Sequence, residues 1–460
     1  MKEPNWKLIH SIGAIVAVFA FSSGCHLFRK DPWEPADWDG KPNLPAEAVR
    51  DTKWRYVRFD LDAIQTRAAE QFEFPTPDGS TVTLVRKNER RTVTGGYVWR
   101  GEVKDDEKSI ATLSVLNGML VGDVLMSNGT LYRVDQVADG IQVVFEIDQA
   151  AFPAEAEPLG ATKPKVAPPG GLRTVAYSGS LQGVQFCDPD HIDMLVVYTE
   201  AACAGAFIGG NSNTCTSADR TAILKDIQKL DEITNDIFGE SLAKPRVSIV
   251  RIASAEGYAE QDTIRQDLEL LMVRDLTAAE IAAGQVAPLQ PVHDLRDQYR
   301  ADVVSLITRR TDKYPTTQRC GKSTLMTAED SSFEEYAFTV VPVNCLGGSF
   351  SFTHELGHVM GADHDSHSLA SNIPNNLAFV MANPSGKEGP WRTVMAENNA
   401  ECGATPKKSC TRLPYFSNPN PALKHGGDPM GSTNRNNSGV VSSTVDTVSQ
   451  YRASSSCDAT

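Results

Sequence analysis

Residues 354–365 read His354-Glu355-Leu356-Gly357-His358-Val359-Met360-Gly361-Ala362-Asp363-His364-Asp365. Two histidines four positions apart share one face of a helix, about 6 Å apart along its axis, so both imidazoles reach one ion. Glu355 is offset from that pair and is placed to hold a water against the ion. Gly361 lets the chain leave the helix in a left-handed turn, and the turn returns His364 as a third nitrogen ligand. Three protein ligands leave a fourth position open, which is the pattern of a catalytic zinc rather than a structural one. His367 falls off this spacing and is set aside as a surface residue.

Outward from this stretch the pattern alternates. His191 to Tyr198 is a buried-strand run, and Ile223, Ile227, Leu230, Ile233 and Ile237 recur at the spacing of one long amphipathic helix. Val247 to Ile252 reads as strand, 262–272 as helix, Ala301 to Ile307 and Phe338 to Val343 as strands, and about 437–452 as a last helix. Such alternation predicts a mostly parallel twisted sheet with covering helices, in a domain over 187–460. Upstream, residues 54–149 have the signature of antiparallel strands. Asn117-Gly118 separates two apolar runs, Asn128-Gly129 repeats the signal, and Pro77-Asp78-Gly79 marks a further turn. Residues 150–186, rich in Pro and Gly, read as a linker with Arg173 as a proteolysis point, and 26–53 as a polar tether.

The N-terminus carries Lys2 and Lys7 and then an apolar run from Ile12 to Phe21, too short to span a bilayer and suited to a signal peptide over 1–25. Ser22-Ser23-Gly24-Cys25 is similar to a bacterial lipoprotein signal, in which Cys25 takes the lipid; Ser22 stands where that signal usually has Leu. The expected place is outside the cytoplasm, lipid-anchored in a bacterial cell envelope or secreted. The net charge of −14 over 460 residues, with no Lys/Arg cluster, argues against nucleic acid as a partner. Eight of the nine cysteines lie beyond residue 186 and there is no CxxC pair, which points to disulfides. Cys203–Cys215 and Cys402–Cys410 are the short-loop pairs. Cys320–Cys345 and Cys187–Cys457 follow by elimination, a pairing that spacing alone leaves open.

The run from His354 to Asp365 resembles the metzincin zinc endopeptidases, and Asp365 after the third histidine is typical of their adamalysin/reprolysin branch, bacterial relatives included. The resemblance implies an α/β (α+β) metzincin-like catalytic domain with an active-site helix. It also implies a Met-turn beneath the metal, for which Val394-Met395-Ala396 is the match, and hydrogen bonds accepted by Asp365 under the site. By the same resemblance Pro414, Tyr415 and Phe416 line the substrate pocket, and 54–149 is a β-rich propeptide-like domain. Astacins and serralysins add a Tyr ligand two residues after the Met; Glu397 stands there in this chain, so a three-histidine site is expected.

The implied chemistry is peptide-bond hydrolysis by a zinc-activated water, with His354, His358 and His364 as ligands and Glu355 as general base. The expected partner is a protein or peptide, pairing as an added strand along an edge near 320–328. Calcium is held by many related enzymes, but no EF-hand loop or Asp cluster marks a site for it. No Cys lies in 26–186, so a cysteine of that region does not block the metal. Cys187, a carboxylate, or a β domain that is a permanent scaffold remain as alternatives. A second functional reading also stays open: a surface lipoprotein that binds a partner and keeps the metallopeptidase fold as a platform.

Overall fold

The computed structural model describes residues 31–45, 48, 54–65, 70–162, 190–210, 212–274, 279, 282, 287–309, 318–386, 389–397, 402 and 410–452. Cys25, Arg173, Cys187 and Cys457 lie outside the described residues. Residues Pro32–Thr460 fall in one compact unit.

The N-terminal half of that unit is a nine-stranded sheet. Its strands are β1 (Trp33–Pro35), β2 (Arg55–Phe59), β3 (Gln71–Pro75), β4 (Thr81–Arg91), β5 (Tyr97–Val103), β6 (Asp106–Leu116), β7 (Met119–Leu125), β8 (Leu131–Ala138) and β9 (Ile141–Ile147). They run in the order β1-β2-β9-β8-β7-β6-β5-β4-β3, with every pairing antiparallel. The hairpin at Asn117-Gly118 forms where the sequence places it. Leu116 pairs with Met119, and both turn residues have positive φ, 50° and 76°, as the tight turn that matches strand twist requires. Residues 33–35, read as tether, instead form the edge strand β1, where Trp33 Nε1 donates to the Glu73 carbonyl at 2.7 Å.

The two faces of this sheet differ. Leu113, Val115, Val134, Val144 and Trp99 turn one way into an apolar core of their own. Ser114, Asp123 and Asp135 turn the other way, onto helices Ser217–Ile227 and Leu230–Glu240. There Lys225 meets Asp135, Lys229 meets Asp123 and Asp226, and Arg133 meets Asp226 at 2.7 Å. Arg90 and Arg100 reach Asp231, Glu232 and Asp236. The contact between the halves thus includes buried ion pairs, with both lysine side chains fully enclosed, beside an apolar part in which Leu131, Val143 and Phe145 share one core with Met194 and Ile223.

This contact also explains a difference from the sequence reading. One long helix is expected over Ile223–Ile237, but two helices form, separated by Gln228 and Lys229. Gln228 donates to Ser114 Oγ at 2.6 Å and Lys229 is drawn to Asp123, so polar contacts to the sheet bend the chain at that point. Both residues keep near-helical dihedrals, which is why the apolar periodicity runs on across the break.

The second half is built on a five-stranded sheet of β10 (His191–Thr199), β11 (Arg246–Ala255), β12 (Val303–Thr308), β13 (Lys322–Ser323) and β14 (Phe338–Pro342), ordered β11-β10-β12-β14-β13. Three of its pairings are parallel and the edge pair β13/β14 is antiparallel. Counted over the whole molecule antiparallel pairing predominates, because of the N-terminal sheet. Alternate residues of β10 sort into two cores, as they must in a sheet covered on both faces. Met194 and Val196 join Ile223, Ile233 and Leu356, while Leu195 and Val197 join Leu268 and Val292. A small sheet of β15 (Val380–Met381), β16 (Trp391–Arg392) and β17 (Thr411–Arg412) pairs Arg392 beside Arg412. Disulfides join Cys203–Cys215, Cys320–Cys345 and Cys402–Cys410. Among the described residues no helix is long and apolar enough to cross a membrane.

Candidate metal centre and cleft

Helix Ser351–Val359 is buried along its whole length under the edge of the five-stranded sheet. Its spacing brings His354 and His358 to one face. Gly361, at φ 90°, then reverses the chain, with its N–H on the His358 carbonyl and the Ala362 N–H on the Gly357 carbonyl, both at 2.9 Å. The reversal delivers His364. The three Nε2 atoms stand 3.1, 3.1 and 3.2 Å apart. Ligand atoms on a tetrahedral ion at the usual ~2.05 Å Zn–N distance are separated by about 3.3 Å. His354 Nδ1 faces the Val394 carbonyl at 2.9 Å and His358 Nδ1 faces the Ala362 carbonyl at 2.8 Å. A carbonyl only accepts, so the Ala362 contact puts the His358 proton on Nδ1 and leaves a lone pair on its Nε2, while His354 Nδ1 is shared between the Val394 carbonyl and Arg412 Nη2, 2.7 Å away. Lone pairs that converge at this distance repel unless a cation lies between them, and so the donor set fits a metal ion.

Burial pulls the His354 and His358 pKa values well below the imidazole range, reinforced by the neighbouring histidines. Burial lowers His364 too, but its hydrogen bond with Glu157 and the charge of Glu397 outweigh that and hold it above the ordinary value.

Beneath the helix, Met395 packs against Gly357. A Cβ on Gly357 would lie 2.5 Å from Met395 Sδ and 3.1 Å from Phe416 Cε1, so the approach needs glycine. Asp365 accepts the Glu397 N–H at 2.8 Å and thereby ties the third-histidine turn to the chain after Met395. Phe416 stacks on Phe238, ring centroids 5.2 Å apart, and Tyr415 is buried in a cluster with Trp391 and Met430; Pro414 is buried between Leu413 and Tyr415. The residue of this stretch that reaches the metal centre is Arg412. Its Nε donates to the Val394 carbonyl at 2.9 Å, and Nη1 donates to the Ser349 carbonyl and to Glu155 Oε1, both at 2.6 Å.

Glu355 is fully buried beside the histidines. One carboxylate oxygen accepts from Ser323 Oγ; the other, Oε1, is buried without a hydrogen-bond partner. Burial, together with the negative charge of Glu155, pushes its pKa well above the carboxylate range. Gly321 passes so close that a Cβ there would lie 2.3 Å from Glu355 Oε1.

Over this cleft runs part of the stretch read as linker. The Cys320 N–H bonds the Ala154 carbonyl at 3.0 Å, and the Ala156 N–H bonds the Gly321 carbonyl at 3.1 Å. The Leu159 N–H and carbonyl bond Ser323 and Leu325, both at 2.8 Å, with Leu159 parallel to Thr324. Residues 154–160 are thus an added strand on the edge expected to receive a peptide. The carboxylate of Glu157 lies 3.5 Å from His364 Nδ1, which holds its pKa down to about 2. Sequence reasoning missed Glu155, Ser323, Gly357 and Arg412. The signal for Arg412 was an arginine directly before the apolar run Leu413-Pro414-Tyr415-Phe416; Glu155 had none.

The sequence model of metallopeptidase family M12 matches residues 189–417. A peptidyl-Asp metalloendopeptidase of Stenotrophomonas maltophilia is 26 % identical over 409 residues, 85 % of each chain. Its counterpart in Xanthomonas campestris pv. campestris is 26 % identical over 404 residues, 85 % of this chain and 84 % of that one. A peptidyl-Asp metalloendopeptidase of Pseudomonas fragi is 31 % identical over 115 residues, 25 % of this chain and 67 % of that one.

Proposed function

The chain belongs to metallopeptidase family M12 and is a metalloendopeptidase, and from that premise we propose that it is an exported zinc endopeptidase held latent by its own N-terminal half. The observation that carries the reading is the convergence of three Nε2 atoms beside a buried carboxylate with one unpartnered oxygen. His354, His358 and His364 would hold the zinc, which supplies a Lewis acid for the scissile carbonyl and acidifies water. Glu355 takes a proton from the attacking water at Oε1 and returns it to the leaving amine. Ser323 holds the other oxygen and so fixes the rotamer. Val394 and Ala362 orient two imidazoles through their carbonyls, and Met395, Gly361 and Asp365 hold the turns that carry them.

The nine-stranded sheet is the propeptide-like domain, and residues 154–160 are the segment by which it blocks the cleft. Substrate and segment compete for the same edge hydrogen bonds, so release of this segment is the activating event. Pro414, Tyr415 and Phe416 stand behind Arg412 as the wall of the substrate pocket. The relatives' name carries a preference for aspartate, and we carry that preference to this chain. The signal at residues 1–25 exports the chain, and Cys25 anchors it.

The test is casein cleavage by the full chain, before and after limited proteolysis of residues 163–186, with and without a zinc chelator. Cleavage that appears after proteolysis, is lost to chelator and is absent in Glu355→Ala with one zinc retained is the expected result. Turnover by Glu355→Ala would overturn the assignment of the base, and full activity of the uncut chain would overturn latency.

A further inference from the structure

Arg412 is a guanidinium taken almost wholly out of water, with 4 % of its surface exposed. A buried cation is tolerated only beside an anion, and removing that anion is costly. The anion here is the carboxylate of Glu155, itself 7 % exposed, which accepts from Arg412 Nη1 at 2.6 Å and from Ser351 Oγ at 2.7 Å. Ser351 lies one helical turn before Glu355, and Arg412 reaches the Val394 carbonyl that orients His354. The pocket thus opens beside the bond-breaking groups. The cation is doubled, because β16 and β17 pair Arg392 directly with Arg412. Arg392 Nη1 donates to the Ala396 carbonyl and its Nε is buried without a partner, and Arg392 and Arg412 both line a cavity of about 90 Å³ with Glu155, Ser349 and Glu397. Glu155 Oε2 is likewise buried without a hydrogen bond, so its carboxylate uses only part of what the pocket offers.

Glu155 comes from the segment that occupies the peptide-binding edge. When that segment leaves, Arg412 loses the carboxylate it pairs with, while Glu397 remains in the cavity wall. An acid delivered along the same edge takes the place of Glu155 on Arg412. We propose that Arg412, with Arg392 beside it, is the specificity-determining group for an acidic substrate side chain flanking the cleaved bond, and that Glu155 is the internal stand-in for that side chain. The inference rests on the endopeptidase reading above and deepens it: one pocket serves both latency and selection.

The test uses two quenched peptides that differ only in Asp against Asn at one position, and a Glu-containing third. The full chain cleaved within 163–186 should prefer Asp over Asn by about 10- to 100-fold in kcat/KM, the worth of a charge-assisted pair in a buried site. Arg412→Gln should bring that ratio close to 1. A purely structural role for Arg412 would instead lower both peptides in proportion. Arg412 also holds two backbone carbonyls, so a second arm leaves it intact. In Glu155→Gln cleaved within 163–186, with Glu355→Ala added to stop turnover, fluorescence anisotropy of labelled peptides should show Asp bound about 10-fold or more tighter than Asn. Cleavage or binding without an Asp–Asn difference overturns the pocket and leaves the peptidase. Asp-selective binding with no cleavage of any peptide overturns the peptidase and leaves the pocket.

Discussion

Gly357→Ala places a single methyl group where helix and Met-turn touch, and two opposed effects decide its outcome. Alanine in a helix interior is favoured over glycine by roughly 0.5–1 kcal/mol. Against this, the new Cβ would lie 2.5 Å from Met395 Sδ and 3.1 Å from both Met395 Cε and Phe416 Cε1. Met395 and Phe416 are fully buried, so neither has open space to move into, and overpacking of this kind costs about 1–3 kcal/mol. The steric effect wins, with a net loss of about 1–2 kcal/mol in urea unfolding. Displacement of Met395 also moves its neighbour Val394, whose carbonyl fixes His354 Nδ1. Zinc affinity should therefore fall about 10-fold, the lower end for a disturbed supporting hydrogen bond. Gly239→Ala is the matched control. Nothing lies within 4 Å of a Cβ there, so stability should stay level or rise by up to about 1 kcal/mol with zinc affinity unchanged. A Gly357→Ala variant as stable as the parent and equal to it in zinc affinity would refute the account of the Met-turn as a packed support.

Two further predictions concern the frame around the site. Lys229→Met leaves Asp123 and Asp226 facing each other with only Arg133 to share, and should cost about 3 kcal/mol in denaturant unfolding; an unchanged midpoint would show that the ionic contact between the halves contributes nothing. Burial raises the Asp302 pKa from 3.8 to about 7, against the Asp193 and Arg452 N–H groups that it accepts. The folded chain then keeps a proton that the unfolded chain releases, so this group makes stability fall as pH rises from about 4 to 7, by at most about 1.4 kcal/mol per pH unit. Asp302→Asn should flatten that slope in urea midpoints at pH 5 and 7, and an identical slope in both proteins would sink the assignment.

What was legible in the sequence was what local geometry encodes. Histidines at i and i+4, a glycine that permits positive φ and a third histidine after the turn need only helix geometry to be read as one cluster. Asn117-Gly118 is legible for the same reason, because the turn type is a property of two residues. The break at Gln228-Lys229 was not legible, because its cause lies more than 100 residues upstream, on Ser114 and Asp123. Residues 154–160 failed for a different reason. They are poor in large apolar side chains and so read as linker, yet their order comes from backbone hydrogen bonds to the edge strand. Strand addition of this kind is nearly blind to side chains, and hydropathy cannot announce it.

Arg412 shows the remaining limit, and it has consequences for how the site works. Arginine at the start of an apolar run is ambiguous: a long side chain at the surface commonly extends its charge into water. Whether it is buried depends on where β17 lies, and β17 is two residues paired beside another arginine. Two like charges placed together in a buried corner make the fold less stable unless an anion is always at hand. Keeping both makes sense if the anion is meant to be exchanged, first for Glu155 and later for a substrate acid. The same electrostatic need that holds the segment in place before activation then draws the substrate in afterwards, so a substitution that weakens latency through Arg412 must also weaken selection.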